Sequence, residues 1–180
     1  MKINKFVSRR LKINKFVSRR LKIISLKGAQ KVAASVKRLN KKVVLVGGCF
    51  DILHPAHIKF LLKAKKEGDV LFIALEPDIT VRKIKGKTRP VFKQKQRALV
   101  LAALQMVDYV VLLPQLKTAE DYFNLTRMIS PDIIAVTEGD PQIENKRKQA
   151  IAVGGRVAVV TRPTANNSTS QIIALLEKEL

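Results

Sequence analysis

Gly47-Gly48-Cys49-Phe50-Asp51-Ile52-Leu53-His54-Pro55-Ala56-His57 stands between two segments of different periodicity. Before it, Val43-Val44-Leu45-Val46 is a β-branched apolar run with the length of a buried strand. After it, Ile58-Lys59-Phe60-Leu61-Leu62-Lys63-Ala64-Lys65 places its apolar residues at helical spacing. The junction therefore reads as strand, glycine-bearing turn, helix. Glycine lets the backbone approach a ligand closely, and the first turn of a helix offers unpaired N–H groups to phosphate. His54 and His57 lie three residues apart at the mouth of that helix and share a face. A lone histidine there would be a cap or a core residue; two at this spacing after a glycine turn point to function. No third His, Cys or carboxylate accompanies them at metal-ligand spacing, so no metal site is expected.

Working outward, apolar strand-like runs at 70–75, 109–113, 133–136 and 156–160 alternate with helical patterns at 93–104, 119–129, 143–153 and 169–180. Such alternation predicts an α/β fold, a Rossmann-like doubly wound parallel sheet of five strands with helices on both faces. Ligands of these sheets sit at the carboxyl ends of the strands, where the strand order reverses. The 47–57 stretch lies at such an end. On its amino-terminal side, Ser25 is a candidate N-cap for a helix carrying Val32, Val36 and Leu39 at helical spacing.

The chain has 180 residues, 47% of them hydrophobic, which suits one globular domain. No apolar run approaches the length of a membrane span. Cys49 is the single cysteine, so an intrachain disulfide is excluded. No secretory apolar segment is evident, and a cytoplasmic location is expected. The net charge of +21 is unevenly distributed. Residues 1–42 hold 15 Lys/Arg and no acid, or +15, whereas residues 43–180 hold 20 basic and 14 acidic residues, or +6. Residues 2–11 are repeated without change as 12–21. Ten residues advance a helix by roughly 1000°, about 80° short of three turns, so the two copies would not align one face. Residues 1–21 are read as a basic extension separate from a domain at 22–180. Its readings are a solvated tail without a specific role, a helix lying on anionic membrane or RNA, and an organellar transit peptide.

Three further clusters fall on the expected carboxyl rim. Asp78, Lys83 and Lys85 belong to a charged stretch that follows the second apolar strand and ends at Arg89-Pro90; Gln96-Arg97 comes shortly after it. Alone, this stretch is a solvated loop. Asp140, in Glu138-Gly139-Asp140, ends the fourth strand and is as consistent with a plain turn as with a base or ribose contact. In Asn167-Ser168-Thr169-Ser170-Gln171, Ser168 with Gln171 forms a capping box, and the three hydroxyls also suit a phosphate at a helix N-terminus.

Gly48-x-Phe50-Asp51-x-x-His54-x-x-His57 resembles the signature of the cytidylyltransferase-like nucleotidyltransferases, with Ala56 where that family usually has glycine. Residues 22–180 resemble the family, most closely the heptose 1-phosphate adenylyltransferases; glycerol-3-phosphate cytidylyltransferase and archaeal FAD synthetase are near alternatives. The resemblance implies transfer of NMP from an NTP, ATP favoured, to a phosphorylated sugar or polyol, with Mg²⁺ and release of pyrophosphate. It implies that His54, His57 and Lys85 are catalytic. It further implies that Gly48, Cys49, Phe50, Asp140, Ser168, Thr169 and Ser170 bind nucleotide, and that Asp78, Lys83 and Arg97 meet the acceptor. It also implies a homodimer, the family's usual state. Three features depart from the family pattern and favour a different class, a non-catalytic module binding nucleotide, RNA or membrane. These are Ala56, Lys95 in place of an acid before Arg97, and a longer Arg162 segment without its usual glycine.

Overall fold

A computed structural model describes residues 22–163. In chain order these form β1 (Ile23–Ser25), α1 (Leu26–Arg38), β2 (Val43–Gly48), α2 (Pro55–Lys66), β3 (Val70–Leu75) and α3 (Asp78–Lys85). There follow α4 (Gln94–Ala102), β4 (Tyr109–Leu112), α5 (Ala119–Ile129), β5 (Ile133–Thr137), α6 (Ile143–Ile151) and β6 (Arg156–Thr161). The strands make one sheet of order β1-β4-β3-β2-β5-β6, parallel at every pairing.

Strands covered on both faces bury every position, which is why Val43 to Val46 carry no polar alternation. Val44 and Val46 point into one layer with Leu61 and Ala64 of α2 and Ala98 and Leu101 of α4. Val43 and Leu45 point into the other, with Ala29 and Ala33 of α1 and Leu125 and Ile129 of α5. A smaller cluster joins Ile134 and Val136 of β5 to Ala150 of α6. The sheet is thus doubly wound. β2 pairs with β3 from Val43↔Val70 to Gly48↔Leu75, and on its other side with β5 at Val44↔Ile133 and Leu45↔Ile134. From β2 the chain builds outward first through β3 and β4, then through β5 and β6. The reversal falls between β2 and β5, and the crevice there opens past Gly47 and Thr137.

Three aspartates begin the strands at the opposite, amino edge. Oδ2 of Asp132 accepts from Val43 N at 2.8 Å, that of Asp69 from Lys42 N at 2.8 Å, and that of Asp108 from Leu71 N at 2.7 Å. Beside them the turn into β6 packs so closely that a Cβ on Gly155 would drive into the Pro131 carbonyl.

All five expected strands form, and the sheet gains a sixth, β1, on its β4 edge. Three residues running directly into a helix are too short for periodicity to reveal. Ser25, which ends β1, caps α1 as expected, its Oγ accepting from Gly28 N at 3.2 Å. The charged stretch after β3 is also not a loop but the helix α3. Val81 and Thr80 bury its inner face, Asp78 sits in its first turn, Arg82, Lys83 and Lys85 in its last, and Gly86 ends it at φ 103°. That charge order suits the helix dipole. Residues 1–21 and residues 169–180, where a helix is expected, with Ser168, Thr169 and Ser170, lie outside the described residues.

Candidate active site

At the carboxyl end of β2 the chain turns sharply. Phe50 adopts φ 43°, a left-handed conformation, and its ring is buried beneath Gly48. A Cβ on Gly48 would lie 2.7 Å from Phe50 Cε2, so only glycine leaves the ring its place. Phe50 then packs on His57, centroids 5.2 Å apart, and His57 on His54 at 3.8 Å. His54 is the N-cap residue of α2, yet no side chain caps that helix and Pro55 fills its first position. The positive end of α2 is left for a ligand.

Buried ion pairs hold this turn in place. Asp51 pairs with Arg89, both largely excluded from solvent, and Asp51 Oδ1 also accepts from Val91 N at 2.8 Å. Arg97 is fully buried and fans across the floor of the site. Its Nε donates to Phe92 O at 2.9 Å, Nη1 to Cys49 O, and Nη2 to Glu76 O and Asp78 Oδ1, each at 2.8 Å. One guanidinium therefore ties together the ends of β2 and β3, the start of α3 and the lead-in to α4.

Over the histidines lies an open cleft of about 690 Å³ between α2 and the ends of β5 and β6. Among the described residues its lining includes five cations, Lys59, Lys63, Lys66, Lys146 and Arg162, against one carboxylate, Asp140. Burial, and then the neighbouring His54, push His57 down to about 4, with the Ile52 backbone opposing. Burial also lowers His54, whose Nδ1 has no hydrogen-bond partner. At neutral pH both rings are uncharged and carry one N–H each, that of His57 already engaged with the Ile52 backbone. Burial raises the Cys49 thiol above its ordinary value, so it is not a thiolate nucleophile.

The structure brings Cys49, Phe50, His54 and His57 to one cleft, with Gly48 against the Phe50 ring, and Asp140 reaches the same cleft while held by Lys146 at 2.6 Å. Asp78 and Arg97 engage each other below this surface. The ion pair that Lys95 denies to Arg97 is thus made with Asp78. Lys83 and Lys85 are exposed on α3 and line neither this cleft nor the cavity described below, though the charge of Lys85 is felt at the Cys49 thiol. Sequence reasoning missed Lys59, Lys63 and Lys146, which belong to no motif; helical spacing from Ala56, at i+3 and i+7, could have placed Lys59 and Lys63 on the face that Ala56 turns to the cleft. Among the described residues no three His, Cys, Asp or Glu side chains gather into a metal site, and no helix is long and apolar enough to cross a membrane.

A nucleotide-binding architecture of the Rossmann-like kind is what this fold and cleft define. Residues 45–175 match the model of the cytidylyltransferase-like family, and the chain belongs to that family. It is 37% identical over 150 residues to the bifunctional protein HldE of Aliarcobacter butzleri, a match covering 83% of this chain and 30% of that one. The chain thus spans under a third of the length of this curated relative. A lipopolysaccharide core biosynthesis protein from Thermoplasma volcanium superposes with TM-score 0.55 at 27% identity, over 69% of this chain and 97% of the other. Pantoate-beta-alanine ligase from Francisella tularensis, solved in complex with beta-gamma ATP and beta-alanine, shares the fold at TM-score 0.59 and 18% identity, over 88% and 78% of the two chains.

Proposed function

We propose that the chain transfers a nucleotidyl group from an NTP, in preference ATP, to a phosphorylated sugar or polyol. The observation that carries this reading is the neutral His54–His57 pair at the uncapped start of α2, under a cation-lined cleft at the reversal point of the sheet. Family membership supports nucleotidyl transfer. The HldE relative and the lipopolysaccharide-related neighbour support a sugar phosphate, with heptose 1-phosphate the favoured acceptor.

In this reading an acceptor phosphate oxygen attacks the α-phosphorus in line. The bond from that phosphorus to the oxygen bridging to the β-phosphate breaks, and pyrophosphate leaves with the electron pair. His54 donates its N–H to the triphosphate, His57 does so on leaving the Ile52 backbone, and Lys59, Lys63 and Arg162 offset its charge. Ser168, Thr169 and Ser170 are assigned to the leaving phosphates, and Lys83 and Lys85 to phosphate approaching from α3. Catalysis is then positioning plus charge stabilisation. Mg²⁺ would be held chiefly by the phosphates of the NTP, where it offsets charge on the leaving group. We assign the reaction to the cytoplasm and the working unit to a homodimer. Exposed Ile79, Val91, Phe92 and Leu99 on α3, α4 and their connection are the surface for that contact.

The test is pyrophosphate release with Mg²⁺, ATP or CTP, and heptose 1-phosphate, glycerol 3-phosphate or FMN. Release with ATP and heptose 1-phosphate is expected, falling about 10²- to 10³-fold in His57→Ala, the range for loss of one preorganised donor. Binding of neither nucleotide would overturn the reading.

A further inference from the structure

On the other side of the sheet from the α2 cleft lies a second cavity of about 440 Å³, between α5, α6 and the carboxyl ends of β3 and β4. That volume is in the range of small-molecule sites. Gly47 and Lys146 line both spaces, so the two meet at the end of β2. Gly47 has nothing within 4 Å of where a Cβ would stand, which leaves its backbone open to whatever crosses from one to the other. Glu76, 8% exposed, lines the second cavity. Its Oε1 accepts from Tyr122 OH at 3.1 Å, while its Oε2 is buried without a hydrogen-bond partner. Burial raises this carboxyl above its ordinary value, against the lowering influence of Tyr122, Arg97 and Lys146. Opposite, Gln149 of α6 lines the cavity, its Oε1 accepting from Thr126 Oγ1 at 3.3 Å.

We infer that this cavity holds the hydroxylated body of the acceptor, whose phosphate lies at Gly47 and Lys146 and one of whose hydroxyls donates to Glu76 Oε2. A buried carboxylate oxygen with no donor is costly unless a ligand supplies one. Hydroxyl groups are the donors that a polyol brings in number, and Tyr122 holds the carboxylate in place to receive one. The chemistry selected is a phosphate monoester on a polyhydroxylated carbon chain. Glu76 is on this account a specificity-determining residue. This rests on the nucleotidyl-transfer reading and adds to it the side of the sheet from which the acceptor enters.

The test separates the two. Calorimetry first measures a non-hydrolysable ATP analogue with Mg²⁺, then heptose 1-phosphate, glucose 1-phosphate and glycerol 3-phosphate with the analogue bound. Wild type is expected to bind the analogue and at least one of the three. Glu76→Gln, and Gln149→Trp filling the cavity from its opposite wall, are each expected to weaken acceptor binding tenfold or more. Both should leave analogue affinity within twofold. Glycerol 3-phosphate, with fewest hydroxyls, should lose least in Glu76→Gln. Acceptor binding unchanged in both variants would overturn the assignment, as would failure of all three acceptors to bind wild type that holds the analogue. If wild type fails to bind the analogue itself, the nucleotidyl-transfer reading falls, and this inference with it.

Discussion

Replacing Arg97 by methionine keeps much of the side chain's volume and removes every donor it carries. The guanidinium is fully buried and serves four oxygens: the carbonyls of Phe92, Cys49 and Glu76 and the carboxylate of Asp78. Leaving a buried acceptor unmet costs about 1–3 kcal/mol, and breaking a buried ion pair about 3–5 kcal/mol. These terms are not additive, because Asp78 is 28% exposed and can turn to water once released. The carbonyl of Glu76 lies closer to the core and has no such exit. A loss of about 4 kcal/mol is expected, a large part of the 5–15 kcal/mol typical of a folded domain. Urea unfolding of wild type, Arg97→Met and Arg97→Lys measures it. Lysine restores the charge without the fork and should recover less than half of the loss. A loss under about 1.5 kcal/mol in Arg97→Met would refute the view that this guanidinium fixes the floor of the site.

Two further outcomes follow from the histidine turn. Burial holds His57 near 4, below its ordinary 6.5, so between those values the unfolded chain binds more protons than the folded one. Stability is therefore held above pH 6.5 and lost as pH falls toward 4. From pH 7 to pH 5 the loss attributable to this residue is about 2 kcal/mol, and urea midpoints should show that His57→Asn removes it; an unchanged pH slope in the variant would count against a buried neutral imidazole. Gly48→Ala places a Cβ 2.7 Å from Phe50 Cε2 and should cost about 1–3 kcal/mol by overpacking, with a shift of the His57 ring signals by NMR. Wild-type stability with unmoved ring signals would show that Phe50 has more room than this geometry gives it.

The fold was legible where one signal dominated. Val43 to Val46 and their parallel partners are mostly apolar runs alternating with helical patterns, and that alternation calls for a parallel sheet covered by helices. β1 escaped because three residues have no period, and α3 because its charges hide a buried face of only Thr80 and Val81. At the site, the histidines and the glycine turn announced themselves through local spacing. Glu76, Tyr122, Lys146 and Gln149 could not, because each lies on a different element or a different turn of helix, and only the sheet order brings them to one cavity.

The same sheet order explains why the modest charge excess of residues 43–180 was a poor guide to the site. What matters is where each sign is placed along the strands. Asp69, Asp108 and Asp132 are spent at the amino edge, accepting from the first N–H groups of the strands. At the carboxyl edge, Asp51 and Asp78 are neutralised by Arg89 and Arg97, and Asp140 by Lys146. Lys59, Lys63 and Lys66 meet no acid partner there in any ion pair among the described residues, and Arg162 has only exposed Glu138 at 3.1 Å. A chain with +6 spread evenly would attract anions weakly; here five cations and one carboxylate among the described residues line a single cleft, while Asp51, Asp69, Asp78, Asp108 and Asp132 are engaged elsewhere in the fold. The cation-rich character of the cleft over α2 is thus made as much by the aspartates consumed elsewhere in the fold as by the lysines that line it.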